Sequence, residues 1–197
     1  TGGNAEIKAA TGCTITGPAA ERERIPTLDV EVAGGDRVTL GDVVADVIDV
    51  PAHTSGHIAF HVPEESVVFV GDTMFMPDYG SARADFPGGD AALLFRSLRR
   101  ILELPPETPL FMCHDYLTAG RQDHRWETTV AEQRRSNVHA REGISEQEFV
   151  ARRRARDAGL SMPALLLPAV QVNMRAGRLP PAEDNGVAYL KIPVDRL

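Results

Sequence analysis

The chain has 197 residues, of which 43% are hydrophobic and 25% are charged, enough apolar content for the core of one globular domain. Its formal net charge of −7 argues against nucleic acid as a partner, because a phosphate-binding surface needs an excess of basic residues. No apolar run reaches the length of a membrane span, and no signal peptide is visible. Cys13 and Cys113 form no CxxC or Cys/His pattern, so we expect a reduced, cytoplasmic protein without a membrane partner.

The first part of the chain is predicted to form a short helix followed by strands. Residues 4–11 have the pattern of a helix that Asn4 caps and Gly12 ends. Alternating apolar and polar residues, separated by turn-forming residues, then predict strands at 13–16, 28–32, 37–40, 43–50, 57–62 and 66–72.

The second part is predicted to be richer in helices. Residues 76–90 contain three Gly and two Pro without a period, and we interpret them as a functional loop. Ser145 and Glu148 have the spacing of a capping box. Helices are predicted at 90–104, 126–139, 145–158 and 164–167, and a buried strand at 109–114. This order indicates an α/β chain with an antiparallel or mixed sheet.

Three predicted strand ends carry side chains of types that bind metals, namely His53, Asp72 and His114. Strand ends hold side chains rigidly, while the loops beyond them leave room for a substrate. Two imidazoles and a carboxylate suit zinc or iron(II). From the residues alone a structural role stays open for each, because lone histidines are usually structural and Gly-Asp-Thr is usually a turn.

Other polar residues have competing interpretations. His57 is expected to form a local hydrogen bond and pack in the core, with a metal role as the alternative. His124 and His139 are expected to be solvated. Asp115 is a candidate for support or substrate contact. Arg83, in the long loop, is a candidate to hold an anionic group of a substrate, with a surface arginine as the alternative.

Two segments resemble the metallo-β-lactamase superfamily. PAHTSGHIAFHVPEESVVFVGDTMF (51–75) is similar to the stretch of glyoxalase II-type hydrolases and persulfide dioxygenases that carries a ligand histidine and a metal-bridging aspartate. LFMCHDY (110–116) is similar to their Gly-His-Asp-Tyr motif, with Cys113 where glycine is usual. Residues 1–50 look most like a glyoxalase II-like hydrolase, whereas 77–197 look closer to the β-lactamase hydrolase-like branch associated with persulfide dioxygenases. Either a divergent lineage or a chimera would give this mixture.

The resemblance implies a metallo-β-lactamase-type αββα sandwich. It implies one domain over 1–197, with 1–160 as the sandwich remainder and 161–197 as a C-terminal extension. The family's first motif, His-x-His-x-Asp-His, should lie immediately before Thr1 and is absent from this sequence, so we expect an N-terminally truncated sandwich. Because such a sandwich exposes an apolar face, we also expect a homodimer or a higher homo-oligomer.

The resemblance also implies roles for individual residues. His53 and Asp72 match metal ligands of both groups of enzymes. His114 matches a ligand of the two-metal hydrolases, whereas the matching histidine of the mononuclear iron dioxygenases lies near the metal without binding it. Zinc is the expected metal and iron(II) is the alternative. Arg83 and Tyr116 are the implied contacts to a small-molecule substrate.

Three functions are compatible with these patterns. The first is a metal-dependent hydrolase of an ester, thioester, lactone or phosphoester, in which Asp72 or Asp115 assists proton transfer. The alternatives are a mononuclear iron persulfide dioxygenase and a catalytically inactive remnant or interaction module. A nucleophilic Cys113 beside His114 is disfavoured unless the strand has ended by Cys113, because adjacent strand residues point to opposite faces.

Overall fold

The computed structural model describes residues 2–86, 88–192 and 194. In chain order its helices and strands are α1 (Asn4–Thr11), β1 (Thr16–Pro18), a 3-10 turn (Ala19–Glu21), β2 (Val30–Val32), β3 (Arg37–Leu40), β4 (Val43–Asp49), β5 (Ile58–Val62), β6 (Val67–Phe69), α2 (Ala91–Leu102), β7 (Pro109–Phe111), β8 (Glu127–Thr129), α3 (Val130–Ser136), α4 (Glu146–Ala158) and α5 (Leu166–Asn173). The α/β class is confirmed.

The chain divides into two compact units. One comprises the described residues of 1–31 and 161–197, and the other comprises Val32–Leu160. The boundary after Leu160 lies where the sequence places the start of the C-terminal extension, and the single domain stays a prediction. None of the helices in the described part of the chain is long and apolar enough to cross a membrane.

In the first unit, α1 ends as predicted and begins differently. Gly12 follows its last turn in the left-handed conformation, with φ of 72°, which glycine adopts without a steric penalty. The N-cap residue is Gly3, and no side chain caps the helix, so the predicted capping by Asn4 is wrong. Strand β1 pairs with β2 in a two-stranded sheet.

The second unit is built on one mixed sheet with the order β3-β4-β5-β6-β7-β8. The consecutive pairs β3–β4, β4–β5 and β5–β6 are antiparallel, as is usual for strands joined by short connections. Strands β6 and β7 are parallel, with Val68 opposite Leu110, because the chain crosses over through the long loop and α2 between them. Strands β4, β6 and β7 therefore all run in the same direction.

Helices cover one face of this sheet. Asp90 caps α2 by accepting a hydrogen bond from Leu93 N, and the helix buries an apolar stripe that includes Leu94, Leu98 and Ile101 in the core. Ser145 caps α4 by accepting a hydrogen bond from Glu148 N, as predicted.

The predicted helix 126–139 is only partly correct. Glu127–Thr129 forms β8, in which Thr128 lies opposite Leu110 of β7, and α3 begins after it with Thr129 as its N-cap. Pairing with a neighbouring strand decided the conformation of this segment, which the local helical pattern does not reveal.

Candidate active site

Three strand ends meet at one edge of the sheet. His53, Asp72 and His114 follow β4, β6 and β7, and the carboxyl ends of strands that run in the same direction lie at the same edge. His114 Nε2 lies 3.2 Å from Asp72 Oδ1, and His53 Nε2 lies 3.9 Å from Asp72 Oδ2. The structure therefore brings together the three side chains predicted as metal ligands, with the carboxylate between the imidazoles.

The orientation of His53 follows from its contact with the long loop. His53 Nδ1 lies 3.2 Å from the carbonyl oxygen of Arg83. A carbonyl oxygen only accepts hydrogen bonds, so Nδ1 carries the proton. In the neutral form of this ring, Nε2 is unprotonated and directs its lone pair toward Asp72 Oδ2, 3.9 Å away. A ligand histidine typically has this arrangement, with one ring nitrogen hydrogen-bonded to the backbone and the other available to a metal.

His57 holds the backbone of the Asp72 turn. Asp72 N donates a hydrogen bond to His57 Nε2 at 2.8 Å. This contact is the hydrogen bond that was predicted for His57. Burial of the imidazole lowers the pKa of His57, and the neighbouring His53 lowers it further, so a neutral acceptor is favoured. Gly71 makes this approach feasible: it has φ of 58°, and a Cβ atom there would lie 2.4 Å from His57 Nε2.

One oxygen of Asp72 is buried without a hydrogen bond. Although 30% of the side chain is exposed, Oδ1 is buried and receives no hydrogen bond among the described residues, since its approach to His114 lacks hydrogen-bond geometry. A buried carboxylate oxygen is costly unless a cation or a donor satisfies it. The observation fits a bound cation, and the nitrogen and oxygen donors suit zinc or iron(II).

The ligand set is partial. In the described part of the chain, no group of three or more His, Cys, Asp and Glu side chains has an arrangement that could hold a metal ion. The atoms of Asp72, His53 and His114 that would bind a metal nevertheless lie close together, at 3.9 Å and 3.2 Å. The metal roles of the three residues stay a prediction.

Both carboxylate oxygens of Asp115 are engaged by neighbouring groups. It forms a two-pronged ion pair with Arg121 and accepts a hydrogen bond from Arg125 N at 2.7 Å. The hydrogen bonds from Arg121 lower the pKa of Asp115 to about 2, which makes it a weak base. Arg121 also binds Asp78 at 2.7 Å, so Asp115 anchors the loop after β7 to the long loop. These contacts favour an anchoring role over the predicted role in proton transfer.

Arg83 contributes its backbone to the site, while its side chain is paired. Its guanidinium donates two hydrogen bonds of 2.6 Å to Asp85 and stacks 4.5 Å above the ring of Phe86. Its carbonyl oxygen orients His53. Asp85 therefore neutralises the positive charge of Arg83. The predicted role of Arg83, which is to hold an anionic group of the substrate, stays a prediction.

Tyr116 belongs to an aromatic cluster beside the site. Its ring stacks on Tyr79 with centroids 4.6 Å apart and meets Phe75 edge-on at 5.4 Å. The imidazole of His114 lies 6.0 Å away, and 45% of Tyr116 is exposed. The ring therefore offers an accessible surface next to the candidate ligands, where a substrate contact was predicted.

Cys113 lies next to His114 and does not have the properties of a nucleophile. Burial raises the pKa of its thiol, and the negative charge of Asp72 raises it further. A protonated thiol is a poor nucleophile.

A group of buried and half-buried polar side chains, which no motif of the sequence indicates, binds the backbone of the long loop. The contacts are Gln133 Nε2 to Phe75 O at 2.9 Å, Asn137 Nδ2 to Gly80 O at 3.2 Å, Ser81 N to His139 Nδ1 at 3.0 Å and Ala84 N to Asp157 Oδ2 at 3.0 Å. Helices α3 and α4 and the turn between them thus hold the loop that orients His53.

His139 is part of this group, and the prediction that it is solvated is wrong. Burial, followed by the positive charges of Arg153, Arg156 and Arg152, lowers the pKa of His139 to about 4. The neutral ring accepts the hydrogen bond from Ser81 N. By contrast, His124 is exposed, as expected.

The family model of the metallo-beta-lactamase superfamily matches residues 1–114, and the chain belongs to this superfamily. It is 54% identical over 171 residues to a probable metallo-hydrolase of Burkholderia pseudomallei, a match that covers 83% of this chain and 58% of that protein. It is 40% identical over 172 residues to a hydroxyacylglutathione hydrolase of Hyphomonas neptunium, covering 87% of this chain and 62% of that protein. The chain thus spans little more than half the length of these relatives.

Solved structures agree with this assignment. The crystal structure of ETHE1 from Myxococcus xanthus is 30% identical with a TM-score of 0.76, and the match covers 89% of this chain and 72% of that chain. The structure of TTHA1623 in a di-iron-bound form is 28% identical with a TM-score of 0.52, and the match covers 70% of each chain. The metallo-β-lactamase-type fold predicted from the two motifs is confirmed.

Proposed function

We propose that this chain carries part of the active site of a metal-dependent hydrolase that acts on a thioester or a related ester, lactone or phosphoester. The observation that carries the proposal is the Asp72 carboxylate between His53 and His114, with one oxygen buried and without a hydrogen bond among the described residues. The relatives named metallo-hydrolase and hydroxyacylglutathione hydrolase support the reaction class.

In this proposal, His53 Nε2, Asp72 and His114 hold the metal. When bound, zinc or iron(II) would polarise the scissile group and acidify a water molecule. We propose zinc, and iron(II) is the alternative that the di-iron-bound structure supports. The hydrogen bond to Arg83 O fixes the His53 ring, and Asp72 is the residue proposed to accept a proton. Tyr116 supplies a surface for a small-molecule substrate.

The test is the metal content per chain, measured by elemental analysis on protein purified without added metal. We expect zinc or iron near one equivalent in the wild type and loss of the metal in His53→Ala. His124→Ala is the matched control, because it removes an exposed imidazole outside the candidate ligand set. Hydrolysis of a hydroxyacylglutathione thioester should follow the metal content. A metal-free wild type without turnover would overturn the proposal in favour of an inactive remnant or an interaction module.

A persulfide dioxygenase is the second candidate. The resemblance of residues 77–197 to the branch associated with these enzymes favours it, and the structural match to ETHE1 extends over 89% of the chain. Oxygen consumption with glutathione persulfide, together with iron as the bound metal, would select this function over hydrolysis.

We further propose that the chain forms a homodimer or a higher homo-oligomer. Phe69 stacks on Phe111 with centroids 5.4 Å apart on one face of the sheet, and 48% of Phe69 is exposed. Phe111 is half-buried, and an exposed aromatic ring such as Phe69 that continues an apolar surface is typical of interaction surfaces. Light scattering at micromolar concentration should give a mass above that of a monomer, and a clean monomer mass would exclude association.

We also propose a cytoplasmic location, with which the two free cysteines agree.

A further inference from the structure

The peptide group between Arg83 and Ala84 is bound at both ends. Its N–H donates to Asp157 Oδ2 at 3.0 Å, and its carbonyl oxygen lies 3.2 Å from His53 Nδ1. The two groups of a trans peptide point in opposite directions. One peptide therefore connects a carboxylate of α4 to the imidazole at the edge of the sheet.

The carboxylate in this connection is buried and compensated. Asp157 and Arg153 are one helical turn apart on α4, their side chains are 6% and 2% exposed, and Arg153 Nη2 donates to Asp157 Oδ1. A buried ion pair seldom adds stability compared with apolar residues of similar size. Its position suggests a different reason for its presence, because Asp157 divides its two oxygens between the arginine and the loop peptide.

We propose that Asp157 is a positioning residue that fixes the tautomer and the orientation of His53 through the Arg83–Ala84 peptide. A carboxylate accepting from the N–H of a peptide polarises that peptide and makes its carbonyl a stronger acceptor. The carbonyl then holds the proton of His53 on Nδ1 and leaves Nε2 with its lone pair toward Asp72. Histidines that bind metals commonly receive this support from a carboxylate directly, whereas here it passes through one peptide group.

The alternative is that Asp157 only stabilises the loop, as Gln133 and Asn137 do. These two side chains bind Phe75 O and Gly80 O, which belong to other peptide groups of the loop. The two roles differ in what happens to the tautomer of His53, so the tautomer is the quantity to measure.

A matched pair of variants tests the proposal. Arg153→Met combined with Asp157→Asn removes both charges and keeps an acceptor oxygen for Ala84 N. Arg153→Met combined with Asp157→Leu removes the acceptor as well, and apolar replacement of a buried ion pair usually preserves folding. Gln133→Met is the control for loosening the loop elsewhere.

The readout is the ¹⁵N chemical shifts of the imidazole nitrogens in metal-free protein at a pH where His53 is neutral. We expect the Nδ1–H tautomer in the wild type, in the Asp157→Asn double variant and in Gln133→Met, and a shift toward the Nε2–H tautomer in the Asp157→Leu double variant. Retention of the Nδ1–H tautomer in the Asp157→Leu double variant would refute the proposal. So would an Nε2–H wild type, or an equal shift in Gln133→Met.

The consequence for metal binding rests on the proposed function. Titration with zinc against a competing chelator should show about 10–100-fold weaker affinity in the Asp157→Leu double variant than in the Asp157→Asn double variant. If the wild type binds no zinc, the proposed function fails, and the tautomer measurement still decides the role of Asp157. Equal zinc affinities in the two variants would overturn the positioning role.

Discussion

Gly71→Ala should destabilise the protein through two separate effects. Gly71 has φ of 58°, in the left-handed region that penalises a side chain, and the new Cβ would lie 2.4 Å from His57 Nε2. The imidazole has to move, and its hydrogen bond from Asp72 N is then lost.

The expected size follows from these two contributions. The left-handed conformation costs about 1–2 kcal/mol for a residue with a Cβ atom. A buried hydrogen-bonding group left without its partner costs about 1–3 kcal/mol more. The sum is about 2–5 kcal/mol, which lowers the Tm of a domain of this size by roughly 4–20 °C.

Gly41→Ala is the matched control, because Gly41 has φ of 61° and a Cβ atom there would meet nothing within 4 Å among the described residues. Thermal and urea unfolding, followed by circular dichroism, should show only the conformational penalty of about 1–2 kcal/mol for this variant. The difference between the two variants isolates the contact with His57. Equal destabilisation of both would refute the assignment of His57 as the support of the Asp72 turn.

Three further predictions concern stability. Ser145→Ala removes the cap of α4 and should lower the free energy of unfolding in urea by about 1 kcal/mol; an unchanged value would contradict the capping role. The folded-state pKa of Asp115 is lowered to about 2. The ionised carboxylate therefore adds to the free energy of unfolding above pH ~4, and this stabilisation is lost as the pH falls toward 2. Arg121→Gln should flatten the dependence of the free energy of unfolding on pH in that range. The folded-state pKa of His139 is lowered to about 4, so the unfolded state binds the proton first and stability should fall by about 2 kcal/mol from pH 7 to pH 5. His139→Gln should abolish that loss and His124→Gln should retain it, and the opposite ranking would exclude His139 as its source.

Much of the candidate site could be predicted from local pattern. His53, Asp72 and His114 each follow an alternating or apolar run, and a strand end is a local property of the sequence. Their convergence also needed the direction of β4, β6 and β7, which depends on pairing between distant segments. The helical pattern of 126–139 gave a wrong prediction for Glu127–Thr129 for the same reason, because β8 forms by pairing with β7.

The sequence by itself determined the fold class, most of the strands, the cap of α4 and the three strand-end side chains, because turns, caps and periodicity act over a few residues. The support of the site was decided by tertiary structure. Phe149, Arg153 and Asp157 recur every four residues and are all buried on one face of α4, yet charged residues in a helix are usually solvated. Only packing against the long loop gives Asp157 the Ala84 N–H as a partner, and that contact joins residues 73 positions apart.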